Sequence, residues 1–184
     1  MSLHVFIENE FSSINDFRVF GAANIPVEME WPRDSEGRAM LLLLSLPLCE
    51  FPKYASMDRD LICSVFISYD PVNCDHLYSG ILGPEEGGCK FVISREGASK
   101  LKKRRVIEPA KKAFLRKDNE CEGAYWLQDE IEIKGMEYQF QISAVTIFQA
   151  FPQLESVFGD EEYYFFVGTH ANGVLDGRVI VQMT

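Results

Sequence analysis

Few side-chain groupings in this 184-residue chain have the spacing that chemistry requires. Acids cluster three times, as Asp58 with Asp60, as Asp129-Glu130 with Glu132, and as Asp160-Glu161-Glu162. Paired carboxylates do glycoside or metal chemistry only when they converge across a cleft, and none of these clusters has calcium-loop spacing. Glu130 and Glu132 fall on the wet face of a predicted strand, where solubility explains them. Cys74-Asp75-His76, with Cys63 and Cys89, is the one conceivable zinc set. Structural zinc takes two tight ligand pairs, whereas only one close pair exists here and its spacing is too short for a knuckle. No metal and no cofactor is expected. Nucleophile motifs are absent too, with no G-x-S-x-G elbow and no Gly-rich phosphate loop. Ser99-Lys100-Leu101-Lys102 fits S-x-x-K, a chance match in a lysine-rich run. His4 and His170 stand alone, and a lone histidine is more often a surface or hydrogen-bonded residue than a general base. No catalytic residue is assigned.

Charge is the most unusual feature. The stretch from Arg95 to Lys117 carries ten basic and two acidic residues, a local +8, while the remainder sums to −18 and the whole chain to −10. Its core, Lys100-Leu101-Lys102-Lys103-Arg104-Arg105, could contact phosphates in a salt-dependent way. Only Phe114 interleaves it, so base stacking is nearly absent and nucleic acid is not the expected partner. The bland reading is a solvated loop and helix lying near the chain's own acids.

The elements that must position these residues are mostly strands. Ala39 to Leu44 is a continuous apolar run, and Leu61 to Tyr69 is β-branched and aromatic up to the turn signal Asp70-Pro71. Phe91-Val92-Ile93 follows Gly87-Gly88. Between Glu130 and Ser143 a period of two on both sides of Lys134-Gly135 predicts a hairpin, with Glu137, Gln139 and Gln141 on a wet face. Tyr163 to Val167 and Val179 to Val181 read as strands, with Asn172-Gly173 and Asp176-Gly177 as turn chemistry between them. Pro109 opens a predicted helix over Ala110 to Lys117, and a second helix is expected from Thr146 to Val157, interrupted at Pro152. The fold class expected is α+β, predominantly antiparallel β-sheet with a few short helices, in a single domain over residues 1–184.

The five cysteines are an odd, scattered set without a CxxC pair. The N-terminus lacks a signal peptide's basic start and long apolar core, and the most apolar stretch, Ala39 to Leu48, is about half the roughly 20 residues a spanning helix needs. A soluble, reducing, cytoplasmic setting is expected, with no membrane contact.

Two segments carry a family likeness. Phe20-Gly21-Ala22-Ala23-Asn24-Ile25-Pro26 leads to Glu30-Trp31-Pro32 and then to Gly37-Arg38-Ala39 and the apolar strand. Downstream come Leu61 to Asp70 and Gly159-Asp160-Glu161-Glu162 with the aromatic run Tyr163 to Val167. Together they resemble the YwqG-like bacterial proteins, a family of unknown function. The resemblance implies this order of strands and brings no catalytic residues. In physical terms, Pro32 biases Trp31 toward an extended backbone, and the indole is an apolar anchor whose N–H needs a partner.

Acidity, small size and the absence of a catalytic signature suit a non-enzymatic module that binds a basic protein partner, for example an immunity-type antagonist. The contacts expected on that reading are Asp58, Asp60, Asp160, Glu161 and Glu162. The alternative is a small-ligand binder or enzyme whose cleft is built by Trp31, Tyr69 and Tyr164.

Overall fold

The computed structural model describes residues 3–11, 16–70, 75–76, 88–95, 99–102, 107, 109–117, 132–154, 158, 161–169 and 175–183. The strands are β1 (Leu3–Phe11), β2 (Arg18–Val19), β3 (Ala23–Pro26), β4 (Leu41–Pro47), β5 (Leu61–Ile67), β6 (Tyr69–Asp70), β7 (Asp75–His76), β8 (Cys89–Arg95), β9 (Ser99–Lys102), β10 (Lys111–Lys117), β11 (Met136–Ser143), β12 (Glu161–Thr169) and β13 (Leu175–Met183). Among the described residues the only α-helix is α1 (Ala144–Ala150), and Leu48–Glu50, Pro52–Tyr54 and Pro152–Leu154 form 3-10 turns. The architecture is therefore mostly antiparallel sheet.

Nine strands form one sheet in the order β13-β12-β11-β1-β10-β2-β4-β5-β8. Every neighbouring pair is antiparallel except β1 with β11. That single parallel pair leaves the two edge strands, β8 and β13, running in opposite senses. The sheet curls until these edges face each other, nearly closing a barrel. Its interior holds one residue in two from most of the strands, including Val5, Val19, Leu44, Val65, Phe140, Phe165 and Val179, plugged by Phe20, Phe51, Phe151 and Phe158. Phe20 keeps a left-handed backbone (φ 60°) before Gly21 (φ 84°), so the turn out of β2 is strained. Its ring meets Phe151 edge-on at 5.0 Å, burial that offsets the strain.

On the outer face of β4, β5 and β8 lies a second layer, the β3–β9 pair. Its apolar part is Ala23, Ile25, Trp31, Met40, Leu42, Phe66 and Val92. Its polar part is one carbonyl, that of Asn24, which accepts from Ser64 Oγ at 3.1 Å and Ser94 Oγ at 2.9 Å. Hydroxyls on an otherwise apolar strand face are thus satisfied by the covering layer.

Several expectations are corrected. Residues 111–117 are strand, not helix: Ala113 and Leu115 face the core while Lys112, Phe114 and Arg116 face out, a period of two. Pairing with β1 from Leu3↔Lys117 to Ile7↔Ala113 outweighs the modest helix preference of Lys, Ala, Leu and Arg. The Lys134-Gly135 turn forms, with Gly135 at φ +78° and Met136 N–H donating to Ile133 O at 3.0 Å. Glu130 and Ile131, which begin the first arm of the expected hairpin, lie outside the described residues, and the second arm is β11, which pairs with β12 and β1. A bulge between Tyr138 and Phe140 turns Met136 and Tyr138 to the outer face and Phe140 and Ile142 inward. The expected wet face is accordingly dry at Gln139 and Gln141, both buried. Asp176-Gly177 is no turn either and sits inside β13. The second helix is present but short, ending at Ala150 before Pro152 as proline's missing N–H requires, with Ser143 capping its start by accepting from Val145 N.

Candidate functional site at the open seam

The strongest candidate site is the place where the barrel fails to close. Between β8 and β13 there is no hydrogen-bonded ladder among the described residues. One thiol substitutes for it: Cys89 Sγ accepts from Val179 N at 3.4 Å and donates to Gly177 O at 3.9 Å. Beside this contact the ring of Phe91 lies flat against Gly177. A Cβ at position 177 would sit 2.4 Å from Phe91 Cγ and 2.5 Å from Cδ1, so only glycine fits under the ring.

A cleft of about 230 Å³ opens there, lined by Met29, Cys89, Lys90, Phe91, Asp176 and Arg178 among others. Arg178 Nη1 donates to Asp176 Oδ1 at 2.6 Å and to the Gly177 carbonyl at 2.9 Å, while its buried Nε has no hydrogen-bond partner. Lys90 Nζ donates to the Arg33 carbonyl at 2.5 Å. The cleft therefore sets Met29, Phe91 and Val92 beside two cations and one acid. Burial pushes the Cys89 thiol up, only partly countered by the Val179 N–H and the Arg178 charge, so the sulfur is held as a thiol, a poor nucleophile. Cys63, wholly inside the barrel, is likewise pushed up by burial. Pockets that enclose drug-sized ligands run to roughly 300–1,000 Å³, so this cleft suits a single side chain or a small ion.

The residues expected from sequence are dispersed. Asp58 is exposed and Asp60 half-buried, with side chains 73% and 38% accessible, and both face Arg95, at 3.8 and 3.1 Å. Glu161 is not a surface acid: it is 3% exposed and accepts from the Tyr163 hydroxyl at 2.5 Å. Glu162 is half-buried beside Gln141. Burial pushes its carboxyl up, against hydrogen bonds from Ser143 and Gln141. Asp160 lies outside the described residues. Because β5 and β12 start from opposite ends of the sheet, the two acid groups lie apart.

Trp31, Tyr69 and Tyr164 are not brought together. Trp31 belongs to the layer under β3, meets Phe66 edge-on at 5.4 Å and donates Nε1–H to Met40 O at 2.8 Å. Tyr69 packs from β6 against the barrel interior, and Tyr164 is buried on the outer face of β12 with Phe166 and Ile180. Of the zinc set, Cys63 is interior, Cys89 is at the seam, and Cys74 and the His76 side chain lie outside the described residues. Within the basic block, Lys100 and Lys102 are in β9, while 103–105 lie outside the described residues. Lys102 Nζ is engaged by the carbonyls of Val27 and Met29. Among the described residues, no helix is long and apolar enough to cross a membrane.

Sequence reasoning missed the seam residues. Cys89 and Val179 are 90 positions apart, and Asp-Gly at 176–177 carries a turn signal that hides the packing role of Gly177. No protein-family model matches the chain, and no curated protein is significantly similar to it.

Proposed function

We propose that the protein is a non-enzymatic binding module that recognises a protein partner at the β8–β13 seam. The observation that carries this reading is the cleft itself, open to solvent between two unladdered edges and sized for one inserted side chain. Interfaces concentrate their energy in such anchor pockets, and unpaired strand edges supply backbone groups beside them. Lys90 and Arg178 also protect the edges from indiscriminate strand pairing, which favours a partner matched to the cleft.

A narrower second reading keeps the partner basic and the module an antagonist of immunity type. The net charge of −10 and the exposure of Asp58, beside the half-buried Asp60, support it, since an acidic field speeds encounter with a cationic surface. Affinity capture from native lysate with three baits separates the readings. Wild type is compared with Lys90→Glu/Arg178→Glu and with Asp58→Lys/Asp60→Lys. A stoichiometric protein lost only with the seam variant supports the first reading, and one lost only with the aspartate variant supports the second. Recovery of all three baits alone overturns both.

A further inference from the structure

Among the described residues, Arg18 is the side chain with two buried polar atoms that lack a hydrogen-bond partner. Arg18 is 4% exposed, yet its Nε and Nη2 have no hydrogen-bond partner. A guanidinium presents five donors and cannot shed its charge near neutral pH, so burying it with two donors unsatisfied is costly, and the Asp16 charge offsets that cost only in part. We propose that Arg18 is the floor of a binding site for a small oxyanion of the carboxylate or phosphate class.

The geometry favours that chemistry. Nε–H and Nη2–H are the two parallel donors of the side-on fork, the edge that grips two oxygens of one carboxylate or phosphate. Val19 points into the barrel, so Arg18 points out, in a row across the sheet with Lys112 on β10 and Ser45 on β4. Lys112 adds a second cation, 3.7 Å from Glu8. Ser45 Oγ lies 3.2 Å from Ser64 Oγ, which itself donates to Asn24 O. Gly21 and Ala110 bound the other side: a Cβ at position 21 would be 2.5 Å from Ala110 Cβ and 3.8 Å from Arg18 Nη1. Desolvation is also felt by the guanidinium, whose pKa falls to about 10 even though the Asp16 charge opposes the fall.

The test is thermal unfolding at constant ionic strength, with chloride replaced stepwise by inorganic phosphate in one arm and by acetate in another. For wild type, the bound anion raises the midpoint saturably, by on the order of 5–10 °C at about 100 times its Kd. The arm that responds identifies the oxyanion. Arg18→Met keeps the volume without the charge, is at least as stable as wild type in chloride, and loses the response. Arg18→Lys keeps the charge without the fork and retains only part of it. Equilibrium dialysis of wild type against labelled phosphate and acetate gives one ion per chain without relying on any variant. An unresponsive wild type overturns the proposal, as does an equal response in Arg18→Met, which would be a general salt effect. A strongly destabilised Arg18→Met in chloride overturns it too, since that shows an internal partner already holds the guanidinium.

Discussion

Replacing Gly177 by alanine isolates the packing that shapes the seam. Gly177 has no left-handed backbone to preserve, so in open space the change would stabilise the strand by about 0.5–1 kcal/mol. The new methyl instead meets three atoms of the Phe91 ring at 2.4, 2.5 and 2.6 Å, closer than Cβ contacts allow. Phe91 must leave its place against the core, and overpacking of this kind costs roughly 1–3 kcal/mol. The net expectation is a loss of about 1–2 kcal/mol, or roughly 2–8 °C in midpoint for a chain of this size. Urea denaturation read by far-UV circular dichroism measures it, and the double mutant with Phe91→Ala supplies the decisive comparison. Once the ring is gone, Gly177→Ala becomes neutral or stabilising, with a coupling of about 1–3 kcal/mol. A Gly177→Ala midpoint at or above wild type refutes the packing of β8 against β13 described above.

Trp31→Phe keeps the edge-on contact with Phe66 but removes the donor to the Met40 carbonyl, and an unsatisfied buried acceptor costs about 1–3 kcal/mol in the same assay. Glu162 has its carboxyl pushed up by burial, so the folded state binds its proton more readily than the unfolded chain does. Its contribution therefore favours folding at low pH and is lost as pH rises through the folded-state value. Wild type should gain stability relative to Glu162→Gln as pH is lowered from 7 toward 4.5, and a constant difference would refute this assignment. Alkylation followed by peptide mapping should modify Cys49 before Cys89 and reach Cys63 only on unfolding, because burial keeps the last two as thiols.

Much of the strand content was legible because it is encoded locally. The apolar run at Leu41–Pro47, the aromatic run at Leu61–Ile67 and the β12–β13 pair all announce themselves by composition or alternation. Gly37, just ahead of that apolar run, holds a φ of +77° that glycine adopts freely. The sequence by itself also determined the acidic balance and the absence of recognisable nucleophile and metal motifs. Tertiary structure decided the rest. It made 111–117 a strand, since β1 needed a partner that propensity cannot anticipate. The bulge after Tyr138 split one alternating pattern between two faces. The parallel pairing of β1 with β11 brought β8 opposite β13 and so created the seam. Glu161 was buried on Tyr163 and Arg18 set beneath the outer surface, positions that only long-range strand order can assign. Periodicity reports which residues share a face, whereas what covers that face depends on contacts between distant parts of the chain.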